Sequence, residues 1–395
     1  MKWGKVAIGD LVNLRQGFAI NKKTDHHISD VPTNLHLLRI GDMKDGKFSI
    51  FVKDTIPEKF VAKDKDIIYT RTGQVGLVFR KQYGVIHNNC FTVNTIDEKI
   101  LNQDYLYYAL QEKSFLEEAI SRATGAAQPD LPHSAFNSIK IFLPPIENQI
   151  KITKILDVYN CLIENNQRQI KLLEEAAQRL YKEWFVDLHF PGHEDVEIVD
   201  GLPKGWEWKK CNDVASLIKR GISPVYNDEG KYIVINQKCI RTAIVNMKEA
   251  RRQEKDYKKE FNLMDGDIVI CSTGMGTLGR VGKIYGVYEN TTFDSHVTLV
   301  RSKDDFGKQY LYHWMKHREN YLMSMGQGST QQQELYRGVI EMLDVLVPNE
   351  KLLSSFEHNA QEIHNQIIVL NKQLDLMVDA RDRLLPKLMS GEVEV

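Results

Sequence analysis

Two stretches of this chain carry the same long seam of apolar residues, and that seam constrains the architecture more than any other feature. Ile152, Leu156, Tyr159, Ile163, Asn166, Ile170, Leu173, Ala177, Leu180 and Trp184 are spaced alternately four and three, with no proline or glycine among them. Phe356, Ala360, Ile363, Ile367, Leu370, Leu374, Met377, Arg381, Leu384 and Leu388 repeat the spacing one half-chain later. Residues spaced this way line one face of a helix, and a seam sustained over four heptads seeks a second helix with a matching seam. Two seams of equal length and phase in one chain are therefore expected to be partners in a coiled coil. Asn166 is a candidate for fixing its register. Arg381 is out of character for a seam, and Pro386 is expected to kink or end the last turn. The acidic residues Glu164, Glu174, Glu175 and Glu183 read as a solvated flank, with a basic partner surface as the alternative.

The rest of the chain repeats too. The run Asp66-Ile-Ile-Tyr-Thr-Arg-Thr-Gly73 matches Asp267-Ile-Val-Ile-Cys-Ser-Thr-Gly274. Gly125-Ala-Ala-Gln128 matches Gly328-Ser-Thr-Gln331, and Ile141-Phe-Leu-Pro-Pro145 matches Asp344-Val-Leu-Val-Pro348. Several matches in one order indicate a duplicated plan. Each half opens with short β-type runs broken by Gly, Asn and Asp and interrupted by short helical stretches, then passes through proline into its long helix. The expected class is α+β with an internal pseudo-two-fold repeat. Its parts are a mixed α/β domain over 1–145, a helix over 146–186, a linker over 187–202, a second mixed domain over 203–347, a second helix over 348–389 and a tail over 390–395.

Composition narrows the function classes. The charged fraction of 27% and hydrophobic fraction of 42% are ordinary for a globular protein. No apolar run is long enough for a membrane span, and scattered charges near the N-terminus argue against a secretory signal. The cysteines Cys90, Cys161, Cys211, Cys239 and Cys271 lie far apart without a CxxC, so neither zinc ligation nor a disulfide framework is expected, and a reducing cytoplasm fits. The net charge of −1 divides into mildly basic mixed domains and acidic helical segments, a bias too small to establish nucleic-acid binding alone.

Gly274-x-Gly276-x-x-Gly279 has the spacing of a dinucleotide-binding turn. Such a turn must open a helix whose N-terminus meets the pyrophosphate. Here Arg280-Val-Gly-Lys-Ile-Tyr-Gly-Val follows, which reads as a strand, and the corresponding Thr72-Gly-Gln-Val-Gly76 lacks the triple glycine. The expectation is a strand–turn–strand element. The bland reading is a tight hairpin turn; the functional one is a turn that brings backbone and polar side chains close to a ligand. No phosphate-binding loop or amino-methyltransferase tetrad is present, and Pro129-Asp130 lacks the lysine that would complete a nuclease motif.

Taken together, Ile139-Lys-Ile-Phe-Leu-Pro-Pro-Ile-Glu-Asn-Gln149 leading into a long helix, Leu180-Tyr-Lys-Glu-Trp-Phe-Val-Asp-Leu188 before Phe190-Pro-Gly192, and the tail Arg383-Leu-Leu-Pro-Lys-Leu-Met-Ser-Gly-Glu392 resemble the specificity subunit of type I restriction–modification enzymes over the whole chain. The resemblance implies two target-recognition domains separated by two long antiparallel helices. Each domain would read half of a bipartite site in double-stranded DNA, and the helices would set the spacer and dock methyltransferase subunits, two by symmetry. It leaves open whether restriction subunits join. The chain would be non-catalytic and bind no cofactor itself, with S-adenosylmethionine, ATP and Mg²⁺ on partner subunits. The competing readings are a stand-alone two-headed DNA-binding regulator and a protein-binding coiled-coil scaffold.

For DNA contact the first domain offers Arg71, Thr72, Gly73 and Gln74 at the Thr-Gly turn, Asn89 before a strand, and Arg122, Thr124, Gly125, Gln128 and His133 around the glycine loop. The second offers Ser272, Thr273, Gly274 and Arg280, then His296, then Gln327, Ser329, Thr330, Gln331, Gln332, Gln333 and Arg337. Arg and Gln suit base edges, and glycine lets backbone approach phosphate. Each is weighed against an ordinary turn or surface role. The seam residues carried forward are Ile152, Leu156, Ile163, Asn166, Ile170, Leu173, Leu180 and Trp184, against Phe356, Ile363, Ile367, Leu370, Leu374, Met377 and Leu384.

Overall fold

A computed structural model describes residues 3–241, 243–274, 276–328 and 333–395. The chain forms two compact units. The first runs to Glu164 and includes Asp375–Val395; the second is Asn165–Leu374. Both boundaries fall inside the long helices Ile146–Phe185 and Glu350–Ser390, so each unit contains part of both.

The two units share one topology. The first has a four-stranded antiparallel sheet in the order Val12–Gln16, Cys90–Thr95, Ile67–Thr70, Val78–Phe79. The second has the same order in Ala215–Arg220, Val297–Ser302, Ile268–Cys271, Val281–Lys283. Each adds a second sheet, of five strands in the first unit and three in the second, with one parallel pair, Leu35–Leu38 beside Gly84–Ile86 and Tyr232–Ile235 beside Thr291–Phe293. Each has a separate antiparallel pair that brings an early strand to its last one, Lys5–Ala7 on Lys140–Phe142 and Glu207–Lys210 on Asp344–Val347.

The continuous apolar runs now have a cause. Every residue of Ile67–Thr70 and of Ile268–Cys271 is buried. Successive strand residues point to opposite faces. Ile67 and Tyr69 enter the core shared with helices, while Ile68 enters a separate core facing the second sheet. In the second unit Ile268 and Ile270 divide from Val269 and Cys271 in the same way. A central strand covered on both faces has no polar face to show.

The seams behave as inner faces. In the first unit Ile152 and Leu156 pack in one core with Leu384, Leu388 and Met389. In the second, Ile170 and Leu173 cluster with Ile363, Ile367, Leu370 and Leu374, while Leu180 and Trp184 join Phe356 and Ala360. Within that unit residues ascending one helix meet residues descending the other, so the pair is antiparallel. Ile163 is buried and Met377 half-buried. Asn166 is buried, with Nδ2 3.5 Å from the Leu370 carbonyl and 3.4 Å from Gln373 Oε1. Arg381 fits because its guanidinium reaches Asn160 Oδ1 at 3.0 Å.

Two expectations need correction. Pro386 neither ends the helix nor stops its last turn, which continues to Ser390 before Gly391 at φ +74°. The proline lies on the exposed side, and Leu388 and Met389, anchored in the first unit's core, hold the final residues helical. Glu174 is not on a solvated flank. It is 5% exposed, and its Oε2 accepts from the Tyr312 hydroxyl at 3.3 Å. Burial raises its pKa, as expected where a carboxylate loses water.

Candidate nucleic-acid interface

In each unit the Thr-Gly turn lies against the glycine loop. The connection in the first is a short bridge: Thr124 and Asp130 exchange both backbone hydrogen bonds at 2.8 Å, closing the loop Gly125–Pro129, and Thr72 bridges to Asp130 from the other side. Gly73 N–H donates to the Pro129 carbonyl at 2.8 Å. In the second unit Gln327 and Glu334 exchange the same pair at 2.8 and 2.9 Å, and Thr273 bridges to Glu334. Gly73 and Gly125 have φ of +81° and +98°, Gly274 and Gly328 of +102° and +117°. These are left-handed conformations that glycine adopts without strain, which is why the motif repeats.

The side chains follow a graded pattern. Arg71 binds Asp130 through two hydrogen bonds, Nε–Oδ1 at 3.1 Å and Nη2–Oδ2 at 2.5 Å, and also donates to Gln16 Oε1 at 3.1 Å. Thr72 Oγ1 adds a bond of 2.5 Å to Asp130 Oδ1. The Arg71 bonds lead in holding the Asp130 carboxyl below its usual range. Arg71 is therefore an anchored guanidinium rather than a free one. Gln74 is exposed and accepts from Lys44 Nζ at 3.0 Å. Asn89 turns its carbonyl to the Arg71 and Thr72 N–H groups. Thr124, Gly125 and Gln128 are exposed along the loop. Arg122 is held by Glu118 and Ser138. His133 is half-buried and packs edge-on against Phe91 at 4.8 Å, and burial lowers its pKa.

In the second unit Ser272 is fully buried, bonded to Thr298 at 2.5 Å, so it faces inward. Thr273 Oγ1 meets the exposed His296 ring at 2.7 Å, joining two candidates at one spot. Gln327 and Gln333 are exposed, and Arg337 pairs with Glu341 at 3.1 Å. Arg280 is half-buried where the turn meets the next strand. Ser329, Thr330, Gln331 and Gln332 lie outside the described residues.

The triple-glycine stretch is the strand–turn–strand element expected, with Val281–Lys283 returning antiparallel to Ile268–Cys271. A Cβ on Gly279 would lie 2.5 Å from the Met323 nitrogen, so this glycine admits the helix Glu319–Ser324. Among the described residues no His, Cys, Asp and Glu cluster suits a metal ion, and no helix is long and apolar enough to cross a membrane.

Sequence reasoning missed the residues under the turn. Gln16, Arg220, Asp130 and Glu334 all take part, as do Gly17 and Gly221, where a Cβ would come within 2.2 Å of the His87 and Asp294 carbonyl oxygens. The available signal was Gln16-Gly17-Phe18 beside Arg220-Gly221-Ile222, a strand ending in glycine at the same place in each repeat.

Comparison with known proteins agrees with this layout. The family described as "Type I restriction modification DNA specificity domain" matches residues 1–175 and 203–368. The MjaIX specificity subunit of Methanocaldococcus jannaschii is 27% identical, over 83% of this chain and 78% of its own. The MjaVIII subunit of the same organism is 23% identical over 100% and 93%, and the HindI subunit of Haemophilus influenzae 22% identical over 99% of each. In fold, the chain resembles the S subunit of the type I restriction–modification system from M. genitalium, with a TM-score of 0.57, 18% identity and coverage of 98% and 96%. The chain belongs to the type I restriction–modification DNA specificity family.

Proposed function

We propose that this chain is the DNA sequence-recognition subunit of a type I restriction–modification complex. The observation that carries the reading is the duplicated pairing of a Thr-Gly turn with a bridge at the base of the glycine loop, Thr124–Asp130 and Gln327–Glu334, built once in each unit on the same sheet. Two equivalent reading surfaces in one chain suit a target of two half-sites. Base contact comes from exposed loop residues, Gln74, Thr124 and Gln128 in one unit and His296, Gln327 and Gln333 in the other, with backbone at the glycines meeting phosphate. The paired helices, about 60 Å long at 1.5 Å per residue, fix the number of unread base pairs between half-sites and dock methyltransferase subunits. S-adenosylmethionine belongs to those subunits, and ATP with Mg²⁺ to a restriction subunit where one is present. The chain contributes no catalytic group, a reading supported by Asp130, whose carboxylate is taken up by Arg71 and Thr72. The net charge of −1 gives little counterion-driven affinity, so tight binding requires the methyltransferase subunits.

The test is to purify the chain with its methyltransferase subunits and map the positions methylated in a randomised DNA library. The expected result is one bipartite consensus with a constant gap. Methylation without a gapped consensus contradicts the proposal.

A further inference from the structure

In both units a guanidinium–carboxylate pair holds the acidic residue that bridges to the Thr-Gly turn, but the guanidinium comes from different elements. In the first unit it comes from the turn itself, Arg71 on Asp130. In the second the turn holds Ser272, and the guanidinium is that of Arg220, at the end of the edge strand Ala215–Arg220, on Glu334.

The positions correspond closely. Gln16 and Arg220 end equivalent strands, facing Phe91 and Thr298. Gln16 Nε2 donates to the Asn88 carbonyl at 2.6 Å, and Arg220 Nε donates to the Ser295 carbonyl. The N–H groups of Arg71 and Ser272 donate to the carbonyls of Asn89 and His296, both at 2.8 Å. The carbonyls of Arg71 and Ser272 accept from Leu131 at 3.0 Å and Leu335 at 2.8 Å. In the duplicated framework the arginine has moved from one element to another while the charge pair has remained. A half-exposed ion pair adds little to global stability, about 0–1 kcal/mol. Its recurrence from different elements therefore points to a local requirement.

We propose that Asp130 and Glu334 are positioning residues for DNA recognition. Each fixes its strand-like bridge, Thr124–Asp130 or Gln327–Glu334, beside the Thr-Gly turn and so decides which base edges the residues at the bridge, Gly125–Pro129 in the first unit and Gln327, Gly328 and Gln333 in the second, can reach. The arginine is their counter-ion and has no duty to read a base itself. This rests on the reading that each unit recognises one half-site.

The test transfers the second unit's solution into the first. The chain is purified with its methyltransferase subunits, and selection from a randomised library scores each half-site separately. Arg71→Ser is expected to reduce discrimination at one half-site roughly tenfold, the scale of losing one well-placed base contact, leaving the other as an internal control. Adding Gln16→Arg to Arg71→Ser is expected to restore it to within about threefold. Asp130→Asn, which keeps the side chain's shape, is expected to resemble Arg71→Ser and guards against a misfolded variant. A direct base-reading role for Arg71 predicts otherwise: no rescue from position 16 and no loss in Asp130→Asn. Either result overturns the proposal, as does unaltered selectivity in Arg71→Ser. Lack of any bipartite preference in the wild-type complex would instead overturn the recognition reading beneath it.

Discussion

Replacing Phe356 by alanine probes the joint between the second unit's sheet domain and its helices. The ring is fully buried in the core that also holds Leu346 and Leu353. Its centroid lies 5.1 Å from Phe185, 6.0 Å from Trp184, 6.2 Å from Tyr181 and 6.3 Å from Tyr310, all edge-on. Phe→Ala in a packed core costs about 3–5 kcal/mol, because transfer energy is lost and the neighbours close the cavity only in part. Edge-on aromatic pairs add about 0.5–1.5 kcal/mol each beyond area burial, which places this site near the top of the range. Four of the five tryptophans, Trp184, Trp206, Trp208 and Trp314, belong to the second unit, so tryptophan fluorescence in urea follows mainly its unfolding. The expected loss is about 4 kcal/mol, or roughly 8–16 °C in Tm for a unit of this size. A loss below about 1 kcal/mol would mean the ring is not enclosed by these aromatics, and the account of the joint would fail.

Two further outcomes follow from the same packing. Lys283 is buried against Gln309 with its Nζ 4.8 Å from the rings of Tyr285 and Tyr312, and burial lowers its pKa to about 8. Between about 8 and the unfolded value of about 10.4 the unfolded chain holds the extra proton, so this residue's contribution to stability rises with pH across that window. Lys283→Met should remove about 2 kcal/mol of that rise, measured as the difference between variant and wild type in urea titrations at pH 8 and pH 10. Equal pH dependence in both proteins would contradict the shift. Gly17→Ala would place a Cβ 2.2 Å from the backbone oxygen of His87, a neighbour that cannot swing away, whereas Gly4→Ala meets nothing within 4 Å. The first should cost about 1–3 kcal/mol in thermal unfolding and the second little; equal effects would refute the close approach.

The architecture was legible because its signals are periodic or duplicated. The alternation of fours and threes from Ile152 to Trp184 identifies a buried face regardless of what covers it, and the second copy supplies the cover. Pro386 misled because helix propensity is local, while Leu388 and Met389 are held by a core the sequence does not reveal. Glu174 misled for a related reason: it sits next to Glu175, and only the fold sets Tyr312 against it. The turn and loop were found through their glycines, since φ between +81° and +117° strongly favours that residue. Their anchors were not, because Arg71–Asp130 and Arg220–Glu334 join residues 59 and 114 positions apart. A candidate such as Ser272, polar by type yet fully buried, shows that side-chain chemistry names what a position can do and not where it points.

The most direct measurement of the helix-ruler claim lengthens both rods together. One heptad inserted after Asn166 and another after Leu370, residues that face each other, keep the seam in register and add about 10 Å at 1.5 Å per residue. Mapping of methylated sites should then show both half-sites unchanged and the gap longer by about three base pairs, given ~34 Å per helical turn of ~10 base pairs. An unaltered gap in a correctly folded, active complex would contradict the account.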